Sequence, residues 1–312
     1  MKVAVIDMGT NTFHLIIVET EGVDFQVVYR EKAAVKIGEN GINQGEIIPE
    51  AIDRALKTLK SFKEIIDKYF VEEVYATATS AIRNASNGKE LVKVIELETG
   101  IKTNIISGLD EARYIYFGVK KALNIGNIPQ LIMDIGGGSI EFIIATNKEA
   151  LWMHSFEIGG LRLLEKFQKN DPISKTEVST LENYLEEELE LLFEVCKKFQ
   201  PRTLIGSSGT FDTLSDIYRL KEGLKKVDQT EYPLPIDAFN IIFKEILVKN
   251  KQERMQIPGM IALRVEMIVV ATVLINFIIT RLNIKQMRVS AYALKEGVLL
   301  STLDSLKKSQ LS

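Results

Sequence analysis

The chain predicts a duplicated α/β fold of two domains around a cleft, and three observations carry that expectation. Residues 131–145 read LIMDIGGGSIEFIIA, an apolar run that breaks at Asp134, crosses three consecutive glycines and turns apolar again. The pattern of a β-hairpin with a glycine turn recurs at the start of the chain, where residues 3–19 read VAVIDMGTNTFHLIIVE. Asp7, Gly9 and Thr12 stand there at the offsets of Asp134, Gly136 and Ser139. Internal duplication implies two related halves. The third observation is the order of elements, with strands and helices alternating through the rest of the chain as in a layered α/β protein.

The turn in 131–145 is built from residues without a Cβ, which tolerate positive φ and let backbone N–H groups face an anion, and each hairpin is expected to offer backbone N–H groups and one hydroxyl from its own side of a cleft. An aspartate at a strand end beside a bound phosphate requires a cation between them, which predicts Mg²⁺ at Asp134. One position differs between the copies, with His14 in the first where the second has Glu141. A plain glycine-rich hairpin with an exposed aspartate is the simpler alternative for residues 131–145 alone.

In chain order, residues 24–36 alternate like a further strand, and Gly38, Gly41 and Gly45 mark a loop. Residues 49–70 carry Ile52, Leu56, Leu59, Phe62, Ile66 and Tyr69 at helical spacing. A strand at 73–78 leads into a loop holding Arg83, which reads as a surface charge or as a fork onto phosphate oxygens. Residues 91–99 read as a helix and 103–107 as a short strand, after which Gly108, Asp110 and Glu111 open another helix. Acidic residues in a first turn serve the helix dipole; at a strand end facing a cleft they also suit catalysis. Beyond the second hairpin, a strand at 151–156 ends at Gly159 and Gly160, two further candidate backbone donors. Residues 177–199 read as one long acidic helix, 203–205 as a strand, and GSSGT at 206–210 as a third phosphate-type loop. A polar connection is expected over 221–235, a buried core helix over 260–282 despite Arg264, Glu266 and Asn276, a strand at 287–291 and a terminal helix from near Leu294.

Composition excludes several classes. With 39 basic and 42 acidic side chains and a formal charge of −3, nothing global favours nucleic acid or an anionic membrane as partner. One cysteine, Cys196, excludes an internal disulfide, and with only two histidines a zinc site is not expected. The chain enters a strand at Lys2 without a signal-peptide layout, so a cytoplasmic protein is expected.

At these residues the chain resembles the exopolyphosphatase and guanosine pentaphosphate phosphohydrolase family, a branch of the actin, sugar-kinase and heat-shock-chaperone ATPase superfold. The resemblance runs through Asp7-Met8-Gly9-Thr10-Asn11-Thr12, through Thr79 to Arg83, through Gly108-Leu109-Asp110-Glu111-Ala112, and most specifically through Asp134 to Glu141. Threonines replace serines at Thr10 and Thr12, Asp110 replaces a glutamate, Ser207 and Ser208 vary a glycine turn, and His14 stands where the family often has arginine.

The resemblance implies a duplicated actin-like (ribonuclease H-like) fold, with domain I at 1–123 plus 297–312 and domain II at 124–296. It implies release of terminal phosphate from inorganic polyphosphate or guanosine pentaphosphate by attack of water. Glu111 is then the catalytic base and Glu141 the second carboxylate near that water. Thr10, Asn11, Thr12, Arg83, Gly136, Gly137, Gly138, Ser139, Gly209 and Thr210 hold phosphates, while Asp7 and Asp134 hold Mg²⁺. A homodimer stays open. The alternatives are an ATP-dependent kinase or chaperone-like ATPase of the same superfold, and a nucleotide-binding regulator without turnover.

Overall fold

The computed structural model describes residues 1–21, 24–225 and 229–311. The chain divides into two units, Met1–Gly118 with Leu294–Ser312, and Val119–Ala293.

In the first unit, the apolar run Val3–Ile6 makes β1 (Lys2–Met8) a central strand. It pairs antiparallel with β2 (Phe13–Glu21), which pairs antiparallel with β3 (Asp24–Ala33). Helix α1 (Pro49–Lys68) starts on a proline, whose fixed φ suits a first helical position, and buries Ala51, Ala55, Leu59, Phe62 and Ile66 along one stripe. Strand β4 (Glu73–Ala78) returns parallel to β1 and is followed by the short α2 (Ser80–Asn84) and by α3 (Gly88–Thr99). Strand β5 (Thr103–Ile105) adds parallel to β4, and α4 (Gly108–Ala122) follows. The sheet order is β3-β2-β1-β4-β5.

The second unit repeats this plan. Strands β6 (Gln130–Ile135), β7 (Ile140–Ala145) and β8 (Ala150–Phe156) form an antiparallel meander. After α5 (Gly160–Phe167), α6 (Lys175–Glu188) and α7 (Glu190–Phe199), β9 (Thr203–Ser207) pairs parallel to β6 and runs into α8 (Ser208–Lys221). Then come β10 (Glu231–Tyr232), α9 (Ile236–Val248), α10 (Lys251–Met255), α11 (Ile268–Arg281) and β11 (Gln286–Ser290), and the chain returns to the first unit as α12 (Leu294–Leu311). The order β10-β11-β9-β6-β7-β8 matches the first sheet strand for strand, with β10 added at the edge. This is the duplicated α/β architecture that the paired motifs predict.

Three expectations are corrected. The acidic helix over 177–199 is two helices that meet at Leu189, whose ψ of 13° leaves the helical range. Leu189 still donates to Leu185 O and accepts from Phe193, so the buried stripe passes through the break. The core helix expected over 260–282 begins only at Ile268, because residues 262–267 run as turns. The polar connection over 221–235 contains β10, which pairs with β11 at Glu231 and Tyr232, and residues 226–228 of it lie outside the described residues. Cys196 is buried on α7, and burial pushes its thiol up to about 12, as a structural cysteine requires.

Candidate active site

Register places the motif residues on corresponding rows of the two sheets. In the first sheet Asp7 at the end of β1 lies opposite His14 on β2 and Thr77 on β4, and His14 lies opposite Lys32 on β3. In the second sheet Asp134 lies opposite Glu141 on β7 and Ser207 on β9, and Glu141 lies opposite Ser155 on β8. Directly paired residues share a sheet face, so each row is a line of polar side chains across one face. In the second row the hydroxyls do the anchoring. Ser207 Oγ donates to Asp134 Oδ2 at 2.6 Å, and Ser155 Oγ donates to Glu141 Oε1 at 2.7 Å. Glu141 is 1% exposed, a depth at which a carboxylate must be hydrogen-bonded to stay charged.

Both hairpin turns are closed in the same way, by Gly9 N–H donating to Thr12 O and Gly136 N–H donating to Ser139 O. In the second turn the carbonyls of Gly136, Gly137 and Gly138 accept from the N–H groups of Gly160, Leu161 and Gly159 respectively. Arg162 Nε adds a second donor to Gly138 O at 2.9 Å. A trans peptide carries its N–H opposite its carbonyl. The N–H groups of Gly137, Gly138 and Ser139 are therefore turned away from α5, as an anion nest requires. The first turn repeats the device, with Thr10 O and Asn11 O accepting from Gly38 and Lys36 and the N–H groups of Asn11 and Thr12 turned the other way.

Gly159 and Gly160 are thus not anion donors, as their sequence position suggests; their N–H groups are spent on fixing the glycine turn. The hydroxyl of Thr12 lies 3.1 Å from His14 Nε2, which binds the position that differs between the two copies to the first turn.

The loop expected at 206–210 is instead the end of β9, at Gly206 and Ser207, joined directly to the first turn of α8, and this junction completes the site of the second unit. Ser208, a non-glycine residue at φ 70°, brings its Oγ to 2.7 Å from both oxygens of Asp134. Gly209 and the buried Thr210 open α8, where a helix N-terminus attracts anions. Arg264 packs on this first turn so closely that a Cβ on Gly209 would meet its Nη2 at 2.2 Å. Arg264 is buried and its Nε has no hydrogen-bond partner among the described residues. Burial pushes its guanidinium below the ordinary arginine value, against the pull of Asp212 and Asp134. Along the sequence Arg264 stands only as an interruption of an apolar stretch. That interruption was itself the available signal, since a charge inside an apolar run must face a polar site.

In the first unit, Arg83 and Glu111 meet. Arg83 Nη1 donates to Glu111 Oε2 at 2.8 Å and to Ile106 O at 3.3 Å; Glu111 is buried and Arg83 is partly buried. Asp110, one residue earlier, turns outward to Arg113 at 2.9 Å and accepts from Ser107 Oγ, which in turn accepts from Asp110 N–H. The acidic pair is divided by its helix into one residue that serves the cap and one that faces inward. Thr10, Asn11 and Thr12 are buried in the turn that precedes β2.

Asp7 and Asp134 are hard oxygen donors of the kind Mg²⁺ takes. No group of three His, Cys, Asp or Glu side chains is placed to hold a metal among the described residues. Each carboxylate is of the chemistry that would hold Mg²⁺ together with water and substrate oxygens.

The chain is similar to proteins whose solved structures and sequences are known. A crystal structure of an exopolyphosphatase from Cytophaga hutchinsonii superposes with a TM-score of 0.94 at 42% identity, covering 98% of each chain. The Ppx/GppA protein of Aquifex aeolicus superposes at 0.79 with 25% identity, covering 98% of each chain. Exopolyphosphatase 1 of Mycobacterium leprae is 26% identical over 307 residues, covering 98% of this chain and 90% of the relative. Residues 16–306 match the model of the Ppx/GppA phosphatase family, and on that match this chain belongs to that family.

Proposed function

We propose that the chain is an exopolyphosphatase that releases terminal phosphate from inorganic polyphosphate by attack of water, with guanosine pentaphosphate as the second candidate substrate. The observation that carries this reading is the pair of hairpin turns whose carbonyls are tied back on one side, which turns the N–H groups of the same peptides to the other side, where anionic oxygens would bind. Duplicated anion nests suit a chain of phosphates better than a single one. The names of the Cytophaga and mycobacterial relatives support polyphosphate as the first substrate to test.

In this reading Thr10, Asn11, Thr12 and the N–H groups of Gly137, Gly138 and Ser139 bind phosphate oxygens, with Gly136 shaping the turn. Gly209 and Thr210 add the N-terminus of α8, and Arg264 beside them supplies positive charge. Glu111 orients the attacking water and accepts its proton, and Glu141 is the second carboxylate at that water. Asp7 and Asp134 hold Mg²⁺, which when bound neutralises charge on the phosphate oxygens. A sugar kinase or chaperone-like ATPase has no need of the two carboxylates.

The test is phosphate release by the purified protein with Mg²⁺ and either polyphosphate or guanosine pentaphosphate. Release from polyphosphate supports the reading, release from guanosine pentaphosphate alone moves the substrate, and release from neither overturns it.

A further inference from the structure

Arg83 and Glu111 come from the loops after two neighbouring parallel strands. Strand β4 ends at Ala78 opposite Ile105 of β5, and Ile106 N–H donates to Ala78 O, which ties the two strand ends together. From the first end, Arg83 N–H donates to Thr79 O and starts the short turn of α2. From the second, Ser107 caps α4 and sets Glu111 on its first turn, with Glu111 N–H donating to Ser107 O. The guanidinium then bridges back. Its Nη1 donates to Glu111 Oε2 at 2.8 Å and to Ile106 O at 3.3 Å, which accounts for both hydrogens of that nitrogen.

The pair differs in kind from the ion pair beside it. Asp110 and Arg113 are 41% and 49% exposed, whereas the side chains of Glu111 and Arg83 are 8% and 15% exposed. A solvated pair fixes little, but a buried charge-assisted hydrogen bond holds its carboxylate in one orientation. Orientation is what this chemistry asks of a carboxylate. The transition state of phosphoryl transfer to water is loose, so positioning the water counts for more than removing its proton early. A glutamate has three rotatable bonds and needs an anchor to hold such a position.

We propose that Arg83 is a positioning residue of the hydrolysis, which fixes the Glu111 carboxylate against the end of β5, and is not a phosphate ligand. The proposal rests on the hydrolase reading and on Glu111 as its base. It departs from the role that the family resemblance implies for Arg83, which is to grip phosphate.

The two roles separate in steady-state kinetics with polyphosphate and Mg²⁺. A positioning role predicts that Arg83→Ala lowers kcat by about 10²-fold, the scale of a small misplacement in an active site, and leaves KM within about threefold. Arg83→Lys, which keeps a charge but not the planar fork, recovers part of kcat. Arg83→Ala combined with Glu111→Gln loses no more than Glu111→Gln alone, because residues that act as one unit are not additive. A phosphate ligand would instead raise KM about tenfold or more at unchanged kcat, and its loss would multiply with that of Glu111; either result overturns the proposal. If Arg83→Ala does not fold, the same split between kcat and KM is read on Arg83→Lys. Wild-type protein that releases no phosphate would remove the hydrolase reading, and this role with it. Active wild type with an effect on KM alone would remove this role and leave the hydrolase reading standing.

Discussion

Gly159 stands against Gly137 so closely that a Cβ built on Gly159 would lie 2.4 Å from the Gly137 carbonyl carbon. The approach exists because Gly159, Gly160 and Leu161 donate their N–H groups into the glycine turn. A methyl at Gly159 therefore pushes the first turn of α5 off the hairpin. Gly159→Ala is expected to cost about 1–3 kcal/mol, as overpacking does, and to lower phosphate release by disordering the nest. A thermal melt and a phosphate assay check this, and an unchanged melt with full activity would show that the turn absorbs the methyl.

Glu111→Gln keeps the size of the side chain and a hydrogen-bonding oxygen toward Arg83, but cannot take a proton from water. The expected loss in kcat is ~10²- to 10⁴-fold, the usual contribution of a positioned base, with binding of the phosphate chain nearly intact. Calorimetric titration beside the kinetics separates the two quantities. A variant that retains most of its turnover would move the base elsewhere, with Glu141 the next carboxylate to test.

Removal of divalent cation tests Asp7 and Asp134 together. Hydrolysis is expected to vanish in excess chelator and to return with Mg²⁺, while the melt measured without substrate changes little, since hydroxyls already satisfy Asp134. Full activity in chelator would take the metal role from both aspartates.

Glu177 gives a pH dependence with a definite sign. Burial opposes its charge, but backbone and side-chain hydrogen bonds from Ser174 and backbone N–H groups of Lys169 and Asn170 overcome it and hold the carboxyl down at about 2, against 4.5 ordinarily. The folded value is depressed, so this contribution to stability is fully present above pH 4.5 and is lost as pH falls through about 2. Wild type is expected to melt above Glu177→Gln at neutral pH, and the gap should close across that acidic window. A gap that is constant with pH would mean that the amide side chain acts through packing alone.

The sequence by itself determined the features that are local or periodic. Two copies of a strand, an aspartate, a small-residue turn and a strand announce the duplication, and both sheets carry it in matching strand order. Turn chemistry and apolar alternation are short-range properties, so Asp7, Asp134 and the residues of both turns stand at the hairpins where their spacing put them. The capping box at Ser174 and Glu177 was equally local and marks the true start of α6, two residues before the acidic run that suggested a helix from 177.

Only the tertiary structure decided what those residues face. That the glycine turn's carbonyls go to Gly159–Leu161 depends on how α5 docks. That Glu111 turns in to Arg83 while Asp110 turns out to Arg113 depends on the angle of α4 to the β4–β5 edge. Arg264 lies more than fifty positions from Gly209, and no periodicity links them. They meet because residues 262–267 leave the helical path, and a buried guanidinium has to find carboxylates and the first turn of α8 once water is gone. Spacing along the chain fixes which groups stand at a strand end, while packing between elements fixes which of them become partners.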